Sequence, residues 1–228
     1  MTTGQKDLLH AAGIIDAAEA QLLIDCGFDC LGFPLVLDHH AEDLTATEAA
    51  AIVGALSGQA RFFLITYLSR AADIAALCSE LGVKMVQLHG DIALDQLEEL
   101  RTGRANLRII KSLIVRGDDF EGLAQQVIRF APLVDAFITD TFDSATGASG
   151  ATGKTHDWEI SRKLVALSSK PVILAGGLNP DNVGEAIAQV RPAGVDVHSG
   201  IEGPDGRKSR QAATRFVAVA RDAFTRLV

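Results

Sequence analysis

Glycine clusters at three points of this chain where backbone amides can approach an anion closely: Gly147-Ala148-Ser149-Gly150-Ala151-Thr152-Gly153-Lys154-Thr155, Leu174-Ala175-Gly176-Gly177-Leu178 and Asp196-Val197-His198-Ser199-Gly200-Ile201-Glu202. A glycine has no side chain to hold a ligand off, and a helix start behind it aims N–H groups outward, so Gly153, Gly176, Gly177, Ser199 and Gly200 are candidate phosphate contacts. Residues Ala148 to Thr155 also satisfy a relaxed Walker A pattern. That motif normally follows its strand directly and opens a nucleotide-binding fold, whereas this loop is long and lies two-thirds of the way along the chain. Cys26 and Cys30 are too far apart for a redox or zinc pair, so Cys26, Cys30 and Cys78 read as buried thiols.

The elements that must position these loops alternate regularly. Short β-branched or apolar runs occur near Leu8–Ala12, Cys30–Pro34, Arg61–Thr66, Lys84–Leu88, Leu107–Ser112, Ala136–Thr139, Pro171–Leu174 and Val195–Val197. Segments of helical period fall near Ala17–Cys26, Ala46–Leu56, Ala71–Leu81, Ala93–Leu100, Phe120–Phe130, Trp158–Leu167, Pro180–Val190 and Arg210–Leu227. Thr45 with Glu48 forms a capping box ahead of the second helix, and Asn179-Pro180 supplies a cap and a first-turn proline for the seventh. Repeated βα units over 228 residues predict an α/β fold, a single (β/α)8 TIM barrel filling residues 1–228 as one domain; an open doubly wound sheet is the alternative. In a barrel the second and third glycine clusters follow strands seven and eight, where phosphate sites often form.

Composition narrows the partners. Twenty-one lysines and arginines against 29 acids give a formal charge of -8, and no basic block is interleaved with aromatics, which argues against nucleic acid. No apolar run reaches the roughly 18 residues that a membrane span needs. The polar start Met1-Thr2-Thr3-Gly4-Gln5-Lys6-Asp7 lacks the plan of a signal peptide, so a cytoplasmic protein without membrane contact is expected.

Four stretches resemble the phosphoribosylanthranilate isomerase family in order and spacing: Val86-Gln87-Leu88-His89-Gly90, Gly153-Lys154-Thr155-His156-Asp157-Trp158, Pro171 through Val183, and Gly194 through Glu202. Gly27-Phe28-Asp29-Cys30-Leu31-Gly32-Phe33 is similar to the family's second-strand segment. The resemblance implies an Amadori-type aldose–ketose isomerisation of a phosphorylated sugar derivative, in tryptophan synthesis, on a monomer or homodimer with no cofactor. It places Asp140, at the end of strand six, in the role of the acid that protonates the ring oxygen, and His89 near the sugar.

The sequence departs from the family in its first two βα units, and also at His198, where the family usually has a small hydroxyl residue, and at Ala151, which replaces a glycine. The cysteine of strand one that removes the sugar proton corresponds to Ala12, and a nearby arginine corresponds to Asp16. The basic loop after strand two, associated with the anthranilate carboxylate, reads Leu37-Asp38-His39-His40-Ala41-Glu42-Asp43. His10 lies two residues before Ala12, so both side chains face the barrel interior, about 6–7 Å apart along the strand. His10 and His89 are therefore the candidate bases, and Lys111 is an expected interior ion partner. The alternative function is a barrel lacking the family's base that binds a different phosphorylated metabolite, with another reaction or no turnover. Asp38, His39, His40, His10 and His89 at one barrel mouth would suit a divalent metal, but no HxH or HExxH spacing fixes two ligands on one face, and the expectation is no metal.

Overall fold

A computed structural model describes residues 7–37, 42–117, 119–141 and 157–227. Eight parallel strands alternate with eight helices: β1 (Leu8–Ala12), α1 (Ala17–Cys26), β2 (Cys30–Pro34), α2 (Ala46–Ala55), β3 (Arg61–Thr66), α3 (Ala71–Leu81), β4 (Met85–Leu88) and α4 (Leu94–Gly103), then β5 (Arg108–Val115), α5 (Phe120–Phe130), β6 (Ala136–Thr141), α6 (Trp158–Leu167), β7 (Val172–Leu174), α7 (Val183–Val190), β8 (Gly194–Val197) and α8 (Arg210–Thr225). Each strand pairs with the next, and β8 pairs back onto β1 with Leu9 opposite Val195 and His10 opposite Asp196. The sheet is thus a closed (β/α)8 barrel and not the open alternative. Closure leaves no free strand edge. Among the described residues, no helix is long and apolar enough to cross a membrane.

Local chemistry explains why the helices start where they do. Thr45 accepts the Glu48 amide at 3.3 Å while Glu48 accepts the Thr45 amide at 2.8 Å, which satisfies two otherwise unpaired donors at the head of α2. Asn179 acts as a cap, but on a turn that precedes the helix: its Oδ1 accepts from the amides of Asp181 at 2.8 Å and Asn182 at 3.2 Å, so α7 begins only at Val183 instead of at Pro180.

Strand alternation divides the barrel into two regions. Outward-facing Leu9, Leu31, Leu64, Val86, Ile109, Phe137, Val172 and Val195 join the helices in the main hydrophobic core. Inward-facing Cys30, Phe63, Ile110, Ile138 and Ile173 fill the lower interior. Above this apolar plug the inward positions become polar, and that change of character creates the site.

Two expectations fail here for geometric reasons. Ser112 faces inward, where it contacts Gln87 and His89, so its neighbour Lys111 must point into the shell between strands and helices. Lys111 Nζ donates to the carbonyls of Gly90 at 3.0 Å, Ser112 at 3.1 Å and Leu88 at 3.3 Å; it is no interior ion partner. Burial pushes its ammonium down to about 8. Cys30 and Cys78 are buried thiols, but Cys26 is half-exposed, 3.4 Å from the Thr214 hydroxyl.

Candidate active site

A cavity of about 440 Å³ opens at the C-terminal ends of the strands. Its floor and walls include Ala12 from β1, Gln87 and His89 from β4 and the residue just beyond it, Asp140 from β6, and Asp196 from β8. Its rim carries Gly176 and Gly177 after β7, and His198, Ser199, Gly200 and Glu202 after β8. Of the anticipated site residues, Asp140, His89, Gly176, Gly177, Ser199 and Gly200 therefore share one cavity. Gly153 and the Asp38-His39-His40 segment lie outside the described residues.

The glycine rim depends on backbone shape. Gly176 and Gly177 have φ of 98° and 63°, a region that side-chain-bearing residues rarely enter. Asn182 fixes this turn by donating from Nδ2 to the Gly177 carbonyl at 2.9 Å and accepting the Asn179 amide at 2.8 Å. At Gly200 a Cβ would stand 1.8 Å from the Leu178 carbonyl oxygen, so only glycine lets the two loops approach this closely. Ser199–Ile201 form a single 3-10 turn after β8.

The polar interior is held by a small network. His89 Nδ1 lies 3.1 Å from Ser112 Oγ and 3.4 Å from Gln87 Nε2, and Gln87 Nε2 donates to Ser112 Oγ at 3.1 Å. The Tyr67 ring packs against the imidazole at 4.9 Å between centroids. Asp140 is buried, and the Thr141 amide donates to its Oδ1 at 2.7 Å. Burial pushes this carboxyl above the usual carboxylate range, while the charge of His89 and the Thr141 hydrogen bond pull it back.

Asp196 is a further ionisable group of this cavity, one to which the sequence motifs assign no role. It is buried, its Oδ1 has no hydrogen-bond partner, and it lines the same cavity as Asp140. Burial first, and then the negative charge of Asp140, push it up to about 8, against the opposing charge of Lys208. Burial thus opposes ionisation of both carboxyls, and the charge of Asp140 further opposes that of Asp196. Alternation could have found Asp196: Val195 and Val197 face the helices, so Asp196 and His198 must face the interior.

At the rim, Lys208 Nζ pairs with Glu202 Oε1 at 2.7 Å and also donates to the His198 carbonyl at 3.1 Å; the His198 ring nitrogen stands 3.6 Å from the same Glu202 oxygen. Asp16, in the family's arginine position, caps α1 through the Glu19 amide at 2.7 Å and pairs with Arg207, tying the first loop to the last.

His10 is separate from all of this. It is fully buried beneath the cavity lining, 5.2 Å from the Phe63 ring, and neither ring nitrogen has a partner. Burial, reinforced by the charge of Arg61, lowers its pKa to about 4. Ala12 above it offers the cavity only a methyl group.

Fold and site together define a (β/α)8-barrel enzyme whose ionisable side chains gather at the C-terminal mouth, where barrel enzymes place their chemistry. The sequence model of N-(5'-phosphoribosyl)anthranilate isomerase matches residues 65–219. The chain is 40% identical over 217 residues to N-(5'-phosphoribosyl)anthranilate isomerase 2 of Methanosarcina mazei, covering 95% of each protein. It is 47% identical over 162 residues to the Haloferax volcanii isomerase, covering 70% of this chain and 68% of that one. The phosphoribosyl anthranilate isomerase structure from Thermotoga maritima superposes with a TM-score of 0.80 at 24% identity, covering 95% of this chain and 99% of the other. The protein belongs to the phosphoribosylanthranilate isomerase family.

Proposed function

We propose that the protein isomerises N-(5'-phosphoribosyl)anthranilate, or a closely related phosphorylated aminoaldose, to the corresponding aminoketose, as a step of tryptophan synthesis in the cytoplasm. The observation that carries this reading is the convergence, in one cavity, of a buried carboxyl with a raised pKa and two glycine turns. Asp140 is the proton donor to the ring oxygen, a role that burial supports by favouring the protonated form of its carboxyl. His89 stands against the sugar and, through its charge, sets how firmly Asp140 holds that proton. Gly176, Gly177, Ser199 and Gly200 take the phosphate on backbone amides and the serine hydroxyl, with Gly153 contributing from the loop after β6. The enzyme works on one small phosphorylated substrate, without metal or cofactor, as a monomer or homodimer.

His10 is not part of this machinery: it lies below the cavity and is neutral well into the acid range. A barrel that binds a phosphorylated metabolite without turnover is the competing reading, and the pairing of Asp140 with Asp196 favours the enzyme, since a pure binding site gains nothing from two mutually repelling buried carboxyls. Expression in a tryptophan auxotroph lacking this isomerase tests the choice. Growth that disappears with Asp140→Asn supports turnover; no growth from well-expressed, folded protein refutes it.

A further inference from the structure

Proton removal from the sugar needs a base that touches the substrate, and the cavity wall of β1 has none, because Ala12 stands there. Among the other ionisable groups lining the described cavity, Tyr67 lays its ring against the His89 imidazole at 4.9 Å between centroids. Glu202 is committed to Lys208 at 2.7 Å, and His198 sits beside that pair at 3.6 Å from the same oxygen. Asp43 is exposed at the mouth. His89 is held through Nδ1 by Ser112 and Gln87. Asp140 is assigned to the ring oxygen. Asp196 remains: it is buried, lines the cavity, and keeps one carboxyl oxygen without any hydrogen-bond partner.

Its position in the barrel also suits the task. β8 pairs directly with β1, and Asp196 lies opposite His10, two residues before Ala12. Neighbouring strands run about 4.8 Å apart, so a carboxyl on this position of β8 reaches the side of the cavity that Ala12 leaves empty. Resting on the isomerase reading above, we infer that Asp196 is the catalytic base of this protein, exchanging protons with the sugar carbons in alternation with Asp140.

The steps balance without any outside reagent. From the protonation state in which Asp140 holds a proton and Asp196 is the carboxylate, a state that the charge of Lys208 favours, Asp140 protonates the ring oxygen as the bond from that oxygen to C1 breaks, and the nitrogen lone pair forms a C=N bond to C1. The Asp196 carboxylate then takes the proton from C2; the C–H electron pair becomes a C1=C2 bond and the C=N pair returns to nitrogen, giving an enolamine. In the last step the enol O–H proton passes to Asp140 while Asp196 returns a proton to C1. The product is the aminoketose, and the two carboxyls are again as they began. The titratable groups that act on or lie beside Asp196 are Asp140 from β6, Lys208 from the loop before α8, Cys30 from β2 and His10 in register on β1. Asp140 and burial favour the protonated form, and Lys208 opposes them.

The test is steady-state turnover of phosphoribosylanthranilate, with hydrogen or deuterium at C2, by the unsubstituted protein and by Asp196→Asn. General-base removal is expected to lower kcat by about 10²–10⁴-fold with KM within about threefold, and to expose a primary isotope effect in the residual rate. Turnover within about threefold of the unsubstituted protein, or a loss confined to KM, overturns the assignment. Should the asparagine variant not fold, Asp196→Ser is read by the same criteria. A complete lack of turnover by the unsubstituted protein instead overturns the isomerase reading itself, so the two failures are distinct.

Discussion

Replacing His10 with leucine tests the electrostatics of the barrel interior and the placement of the catalytic groups together. The imidazole is fully buried, both nitrogens lack partners, and its pKa is lowered from 6.5 to about 4. A depressed folded-state pKa means that the folded protein resists protonation more than the unfolded chain does. The associated stability is therefore present above pH 6.5 and is lost as pH falls through about 4. At about 1.4 kcal/mol per tenfold change, the whole window represents about 3 kcal/mol, of which about 2 is already lost at pH 5. Leucine of similar bulk cannot protonate, and it also removes two unsatisfied polar atoms whose burial costs about 1–3 kcal/mol. Chemical denaturation followed by circular dichroism at pH 7.5 and pH 5 should show His10→Leu more stable by about 1–3 kcal/mol at the higher pH. The gap should widen by about 2 kcal/mol at the lower pH, with turnover unchanged. A variant that is less stable at pH 7.5, or a gap that does not grow on acidification, refutes the account of the buried imidazole. Loss of turnover in a folded variant would make His10 a catalytic group after all.

The other predictions concern the cavity and its frame. Asp140→Asn should reduce turnover by about 10²–10⁴-fold. It should also remove a charge that raises Asp196, so that the Asp196 carboxyl, followed by carbon-13 NMR, titrates below the value of about 8 that it has beside Asp140. Gly200→Ala places a methyl 1.8 Å from the Leu178 carbonyl oxygen, which must push the loops after β7 and β8 apart. KM should rise much more than kcat falls, and an unchanged KM would remove the loop from the phosphate site. Thr45→Ala deletes the capping box of α2, and Thr45 is not among the residues that line the cavity. It should cost about 1 kcal/mol and lower Tm by a few degrees without altering kcat.

Much of this protein is legible in its sequence, because barrel formation depends on local periodicity repeated eight times. Short apolar or β-branched runs and helices of period near 3.6 reproduce β1, β2, β3, α1, α3, α5 and α6 to the residue. The glycine turns after β7 and β8 are legible for a related reason, since positive φ and close backbone approach restrict the residue type at single positions. The family motifs single out Asp140 and His89 through their order and spacing.

Tertiary structure decided what depends on depth and parity. Sequence places His10 and Ala12 on one inner face but does not say at which layer the apolar plug ends and the cavity begins; closure of the barrel put His10 below that boundary and Ala12 above it. Lys111 took the opposite face from the one expected because a shift of one residue in a strand exchanges inside for outside, and only the contacts of Ser112 fix that parity. The importance of Asp196 arose from the same source. Its burial and its repulsion by Asp140 come from two strands separated by β7, 56 residues apart in the chain, and no local pattern encodes the charge that one carboxyl feels from another across a closed barrel.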